Sequence, residues 1–326
     1  MLITEVQMAE LEENRLKNFP ITLFSTVMGL SGLAVAYMRY GAVMKVNTGF
    51  SKYFLYAVTV WFLVLVFIYA LKLVKYPHEV KHEFLHPVRM NFFPTISISL
   101  LLLSIGYESL CHPFSAGLWW AGALIHITFT FVIINMWFFR EYKIHAMNPA
   151  WFIPVVGNIL VPVVGANFGG TEMSWFFFSI GLVLWIMLCT IVIYRVIFHD
   201  VLVQKFMPTL FIMIAPPAVG FISYSKLTGG LDSFGRILFY FAVFTTLMLV
   251  SMFPRLRKTP FYMSWWAYTF PMDAITIATI LMYKMTGAMF FKSMALVLLV
   301  ITTCVVVLVL VRTVYAMTKK DVCIPE

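Results

Sequence analysis

The stretch Trp265-Trp266-Ala267-Tyr268-Thr269-Phe270-Pro271-Met272-Asp273 gathers unusual chemistry inside one apolar segment. That segment is long enough to cross a bilayer. Pro271 has no N–H and interrupts the hydrogen-bond ladder of a helix. Asp273 places an ionisable carboxyl where insertion costs roughly 2.5 to 3.5 kcal/mol. Spanning segments keep such groups where a cavity or a neighbouring helix satisfies them. The stretch is therefore expected to face a pore.

Other reactive side chains point to less. His78, His82 and His86 have i, i+4 spacing, which in a helix could bind a metal. Pro77 and Pro87 bracket them among basic neighbours, so a solvated or lipid-facing surface is expected instead. His126, in the middle of an apolar run, reads as a packed or hydrogen-bonded histidine. Cys111, Cys189, Cys304 and Cys323 are scattered without a C-x-x-C pair, so neither a disulfide nor a metal site is expected. Gly169-Gly170 and Gly229-Gly230 lack the strand and the Lys-Ser/Thr of a phosphate cradle. No nucleophile–base pair, nucleotide site or cofactor motif stands out, and the chain is read as a non-enzyme.

The elements that must position the stretch follow from composition. The 326 residues are 62% hydrophobic and 11% charged, against about 25% charged in ordinary soluble domains. This is an all-α integral membrane protein, with helical spans rather than a barrel. The net charge of +9 is assigned to Lys and Arg flanking membrane spans, not to a nucleic-acid partner. Acidic and basic residues from Glu10 to Lys17 precede the first apolar run, and no cleaved signal peptide is expected.

Ten spans are predicted, at 20–39, 52–75, 91–110, 115–139, 150–167, 174–198, 207–225, 233–253, 261–284 and 289–316. They form a single membrane domain, 20–316, with an N-terminal stretch 1–19 and a tail 317–326. With the N-terminus inside, sixteen of the 23 Lys and Arg residues fall on the cytoplasmic side. Both termini are then cytoplasmic, which requires an even number of spans.

The prolines sort by span. Pro20, Pro94, Pro154, Pro162, Pro208, Pro216, Pro217 and Pro271 lie in or at the start of odd spans, and the even spans contain none. Small and polar residues follow the same rule. Span 1 carries Ser25, Gly29 and Gly32; span 3, Ser97 and Ser104; span 5, Gly157, Asn158 and Gly165; span 7, Gly220 and Ser223; span 9, Thr269, Asp273 and Thr276. Even spans are mostly Leu, Val, Ile, Phe and Trp. Helices apolar all round face lipid, while helices with Pro, Gly and hydroxyls need protein or water beside them. The alternation predicts five helical hairpins in quasi-fivefold order. The inner ring of odd helices would line a central pore. Ser25, Gly29, Pro94, Ser97, Gly157, Asn158, Pro162, Pro216, Gly220, Pro271 and Asp273 are the pore-lining or kink candidates. No basic ring is expected within the odd spans.

With these motifs in view, the chain resembles the tellurite-resistance/dicarboxylate transporter family, which includes TehA-like bacterial members and the plant slow-type anion channels. The resemblance rests on Glu83-Phe84-Leu85-His86-Pro87-Val88-Arg89, Asn148-Pro149, Gly157-Asn158, Ala215-Pro216-Pro217-Ala218 and Trp265 to Met272. It implies a homotrimer with a pore in each subunit, and a phenylalanine, here Phe270, that occludes it. Composition alone would make Phe270 one packing residue among 32 phenylalanines. The family motif of the plant members carries no acid at Asp273, so their selectivity does not transfer there. In an anion path that carboxyl is expected to be paired, turned from the axis or protonated.

The function this implies is an anion-selective channel in a bacterial inner membrane, in contact with lipid, passing small inorganic anions such as chloride or nitrate. Selectivity would come from an electropositive cytoplasmic mouth, helix dipoles and dehydration cost. The alternative is a proton-coupled carrier of C4-dicarboxylates, sulfite or tellurite-type oxyanions.

Overall fold

A computed structural model describes residues 15–324. Residues 1–14 of the expected N-terminal stretch, with Glu10, Glu12 and Glu13, lie outside the described residues, as do residues 325–326 of the tail. Helices account for the regular structure, with no strand among the described residues. We label the longer ones α1 (Phe24–Met44), α2 (Phe50–Lys75), α3 (Pro77–Leu85), α4 (Thr95–Tyr107), α5 (His112–Phe139), α6 (Thr171–Phe198), α7 (Ala215–Thr228), α8 (Ser233–Ser251), α9 (Thr269–Thr286) and α10 (Met289–Thr318).

Among the described residues, eight helices, counted with their 3₁₀ lead-ins, are long and apolar enough to cross a membrane. They match eight of the ten spans read from sequence. The other two differ for a physical reason. The span expected at 150–167 is a chain of single turns: Pro149–Phe152, Ile153–Val156, Gly157–Leu160 and Pro162–Gly165. Pro154 and Pro162 each remove a ladder donor, and Gly157 adds no helix propensity, so one continuous helix cannot form. The span expected at 261–284 divides into a 3₁₀ stretch, Met263–Tyr268, followed by α9. Thr269, Asp273, Thr276 and Lys284 lower its hydropathy. The connection 76–90, read as a loop, contains α3, which starts on Pro77 at its first position.

Each odd span opens in 3₁₀ form, at Ile21–Leu23, Arg89–Phe92, Pro149–Phe152, Gln204–Ile214 and Met263–Tyr268. Proline explains the change of pitch. Pro271 cannot donate to the carbonyl of Ala267, nor Pro216 to that of Ile212. The α ladder therefore starts at these prolines and the turn before them tightens.

Burial divides the helices. In the most apolar window of the spans that include α1, α4 and α7, 72% or more of the residues are buried; for α2, α5, α6, α8 and α10 the share is 39% or less. Packing runs from α9 to α1, α1 to α4, α4 to the broken segment 149–165, that segment to α7, and α7 back to α9. The apolar helices lie against this set: α2 on α1, α5 on α4, α6 on the broken segment, α8 on α7 and α10 on α9. Asp232 caps α8 by accepting from the Gly235 N–H at 2.9 Å. That bond, with the Tyr224 hydroxyl, holds the Asp232 carboxyl below its usual range.

The tightest seam joins α1 to α9. A Cβ on Gly29 would lie 2.1 Å from Thr269 Oγ1 and 2.6 Å from Thr269 Cβ. A Cβ on Gly32 would lie 2.5 Å from Asp273 Oδ2. Small residues let helix backbones approach where no hydrophobic force drives helices together in lipid. Gly29→Ala is expected to destabilise the protein by about 1–3 kcal/mol, the usual cost of overpacking. Thermal unfolding in detergent measures it, and a midpoint equal to that of the parent would show that the seam tolerates a methyl.

Candidate functional site

Three cavities follow one another through the molecule. The widest, about 1190 Å³, is a vestibule lined by Lys17, Lys72, Arg89, Lys205 and Arg312 together with Glu79, Glu83 and Asp321. Its floor residues Phe92, Met263 and Ser264 also line a second cavity of about 70 Å³. A third cavity, of about 130 Å³, opens at the far side between α1, α7 and α9. Leu160, Val219 and Phe270 line both the second and the third. One side chain from each of three inner elements thus forms an apolar neck between two cavities.

The junctions between 3₁₀ and α structure place these groups. Phe270 is the second residue of α9, directly before Pro271, and is half-buried. The turn below it is anchored: Trp266 Nε1 donates to Thr313 Oγ1 at 2.9 Å, and Thr269 Oγ1 to the Trp266 carbonyl at 2.7 Å. Ser264 Oγ donates to the Lys205 carbonyl at 2.6 Å, tying α9's lead-in to that of α7. Val219 lies in the second turn of α7, and Leu160 closes the turn Gly157–Leu160.

The residues singled out from sequence separate into two groups. Ser25, Gly157, Pro216, Phe270 and Pro271 line the second cavity. Ser97, Asn158, Gly29, Gly220 and Asp273 lie in seams between elements. Ser97 Oγ bonds His126 Nδ1 at 2.9 Å, and Gly157 leaves room for the same imidazole, whose Cε1 would stand 2.3 Å from a Cβ there. Asn158 Nδ2 donates to Thr130 Oγ1 at 3.0 Å and to the Val155 carbonyl at 2.8 Å. Gly220 turns toward Leu238 of α8. Pro94 precedes α4 and Pro162 starts a single turn; both are buried. Asp273 is fully buried against Gly32, and neither carboxylate oxygen has a hydrogen-bond partner among the described residues. His86 Nδ1 accepts from the N–H groups of Val88 and Arg89 at 3.2 Å, which occupies it in the turn after α3.

Sequence reasoning missed two features. The first is a buried cluster beside the vestibule. Glu83 Oε2 accepts from Lys72 Nζ at 2.7 Å and from the Tyr69 hydroxyl at 2.9 Å, and Glu83 Oε1 accepts from the Ile21 N–H at 2.8 Å. Lys72 Nζ also donates to the Phe19 carbonyl at 2.7 Å. The second is a basic cluster at the far mouth: Arg39, Lys226 and Lys284 all line the third cavity. A signal existed for it, because all three stand at the far ends of odd spans on the same predicted side.

Chemically, this arrangement offers basic mouths at both ends of a path and an apolar neck between them. An apolar neck closes a path by steric block and dewetting, and passes most easily ions that shed water at low cost.

Comparison with known proteins agrees in kind. Residues 18–314 match the family model described as voltage-dependent anion channel. The chain is 28% identical over 300 residues to an uncharacterized transporter, MJ0762, of Methanocaldococcus jannaschii, covering 84% of this chain and 88% of that protein. It is 28% identical to the S-type anion channel SLAH3 of Arabidopsis thaliana, covering 94% of this chain but only 50% of the plant protein. It is 24% identical to the tellurite resistance protein TehA homolog of Haemophilus influenzae, covering 94% of each. A multi-pass membrane protein with a path of this kind, matched from residue 18 to residue 314, belongs to the SLAC1 family of voltage-dependent anion channels and their transporter relatives.

Proposed function

We propose that the chain is an anion-selective channel for small monovalent anions such as chloride and nitrate, with Phe270 as the plug of a pore within each subunit. The observation that carries this reading is the neck: Phe270, Leu160 and Val219 border a cavity on either side. The cyclic packing of α1, α4, the broken segment, α7 and α9 supports five hairpins in quasi-fivefold order around that path, within one membrane domain over 20–316. The names of the plant relatives, S-type anion channels, support the substrate class. The Lys/Arg balance supports cytoplasmic termini in a bacterial inner membrane, with the wide vestibule inside. A homotrimer fits the apolar surfaces of the outer helices, where Phe138, Phe139 and Val74 are exposed.

The test is reconstitution into planar bilayers. A channel gives unitary currents that reverse with the anion gradient, larger for nitrate than for fluoride or sulfate. Slow, saturable uptake without unitary current would instead assign a carrier.

One observation favours that second reading. Asp273 is a buried carboxyl without a hydrogen-bond partner among the described residues, one turn from Phe270. A carrier that couples anion movement to protons would need such a group. In the channel reading Asp273 only packs the seam against Gly32, and Asp273→Asn is expected to leave the pH profile of flux unchanged. Liposome flux measured across the acid and neutral range decides this: loss of a pH dependence seen in the parent would transfer the weight to the carrier.

A further inference from the structure

The third cavity collects charge in a way the function above does not require. Arg39 of α1, Lys226 of α7 and Lys284 of α9 all line it, and each stands within the last two turns of its helix. Arg39 Nη2 donates to Glu108 Oε2 at 2.8 Å, and Asn167 Nδ2 donates to Glu108 Oε1 at 2.7 Å. Both oxygens of Glu108 are thereby engaged by the protein. Three cations against one carboxylate leave two positive charges facing a single cavity.

A cation near a helix C-terminus complements the macrodipole, and a lysine at a membrane surface extends toward water. These effects explain each residue singly. They do not explain convergence on one cavity whose inner end is Leu160, Val219 and Phe270. A doubly charged anion matches the excess charge. A tetrahedral oxyanion also offers several acceptor oxygens to donors arriving from three helices. The neck then discriminates. The solvation energy lost on entering a low-dielectric constriction grows with the square of the charge, so a dianion is held back far more strongly than a monoanion.

We propose that this cavity is a docking site for doubly charged tetrahedral oxyanions, and that a dianion seated there blocks passage from that side while singly charged anions proceed. The binding stands on this cavity alone; the block rests on the channel reading. The two are tested separately, with sulfate as the probe.

Calorimetric titration of sulfate into the purified protein at low ionic strength, where screening is weak, is expected to show saturable binding. Lys226→Gln/Lys284→Gln is expected to weaken it about tenfold or more. Lys226→Arg/Lys284→Arg should retain it, and Glu108→Gln, which adds a third uncompensated charge, should tighten it. Unchanged thermal midpoints in these variants establish that they fold. In planar bilayers, sulfate added to one chamber should reduce chloride current and added to the other should not, and the double Gln variant should lose that asymmetry. Equal sulfate binding by the parent and the double Gln variant would overturn the site. Equal block from both chambers would overturn its sidedness. Charge-dependent sulfate binding in a protein that carries no chloride current would uphold the site and reject the channel reading.

Discussion

Phe270→Ala is expected to raise anion flux about tenfold or more, since lowering a barrier by about 1.4 kcal/mol already gives a tenfold faster rate. The ring borders both cavities at the neck, and its removal leaves Leu160 and Val219 as the remaining lining there. A wider and better hydrated neck lowers both the steric and the dewetting barrier. The backbone should not resist the change. Pro271 and the Trp266–Thr313 hydrogen bond hold the start of α9 without help from the ring. Reconstituted chloride flux, parent against variant, measures the effect. Phe270→Leu, which keeps an apolar plug of smaller size, should fall between them. A well-folded Phe270→Ala protein with parental or lower flux would remove Phe270 from the gate.

Glu83→Ala is expected to be the most damaging single substitution for stability, at about 3–5 kcal/mol, the usual cost of removing one partner of a buried ion pair. Both side chains of the Lys72–Glu83 pair are 4% exposed. Without Glu83, the Lys72 ammonium keeps the Phe19 carbonyl and the face of the Tyr69 ring but no anion, and the Ile21 N–H and Tyr69 hydroxyl lose the acceptors they have here. The loss also reaches the path, because Glu83 tethers the start of the first 3₁₀ turn, Ile21–Leu23, from which α1 continues to Ser25. Thermal unfolding in detergent should show a large fall in midpoint. Replacing both partners, as Lys72→Met/Glu83→Leu, should cost much less, since no unpaired charge remains buried. Equal damage from the single and double variants would mean that the hydrogen bonds to Ile21 and Tyr69, not the charge, carry the stability.

The first of these substitutions could be proposed from sequence, the second only from the fold. Phe270 stood out because its neighbours Thr269 and Pro271 break an apolar run in a recognisable motif. Glu83 belonged to the same kind of motif, yet its partners Lys72 and Tyr69 on α2 and Ile21 before α1 lie on two other segments, and no local pattern ties them together. Asp273 shows the limit from the other side. Its cost in an apolar segment was evident at once, but whether it faces the path or a seam depends on Gly32, 241 residues earlier.

By itself, the sequence determined that the chain is helical and membrane-embedded, which spans are greasy, and where the pitch of the inner segments changes. These follow from properties of single residues: transfer free energy, the missing N–H of proline, the side-chain period of a helix. The tertiary structure decided which polar residues line cavities and which close seams. It also brought Arg39, Lys226 and Lys284 into one cavity. Such outcomes depend on how helices rotate against one another. In lipid that rotation is set by close packing between distant segments, through pairs such as Gly29–Thr269 and Gly157–His126, and not by any pattern along one of them.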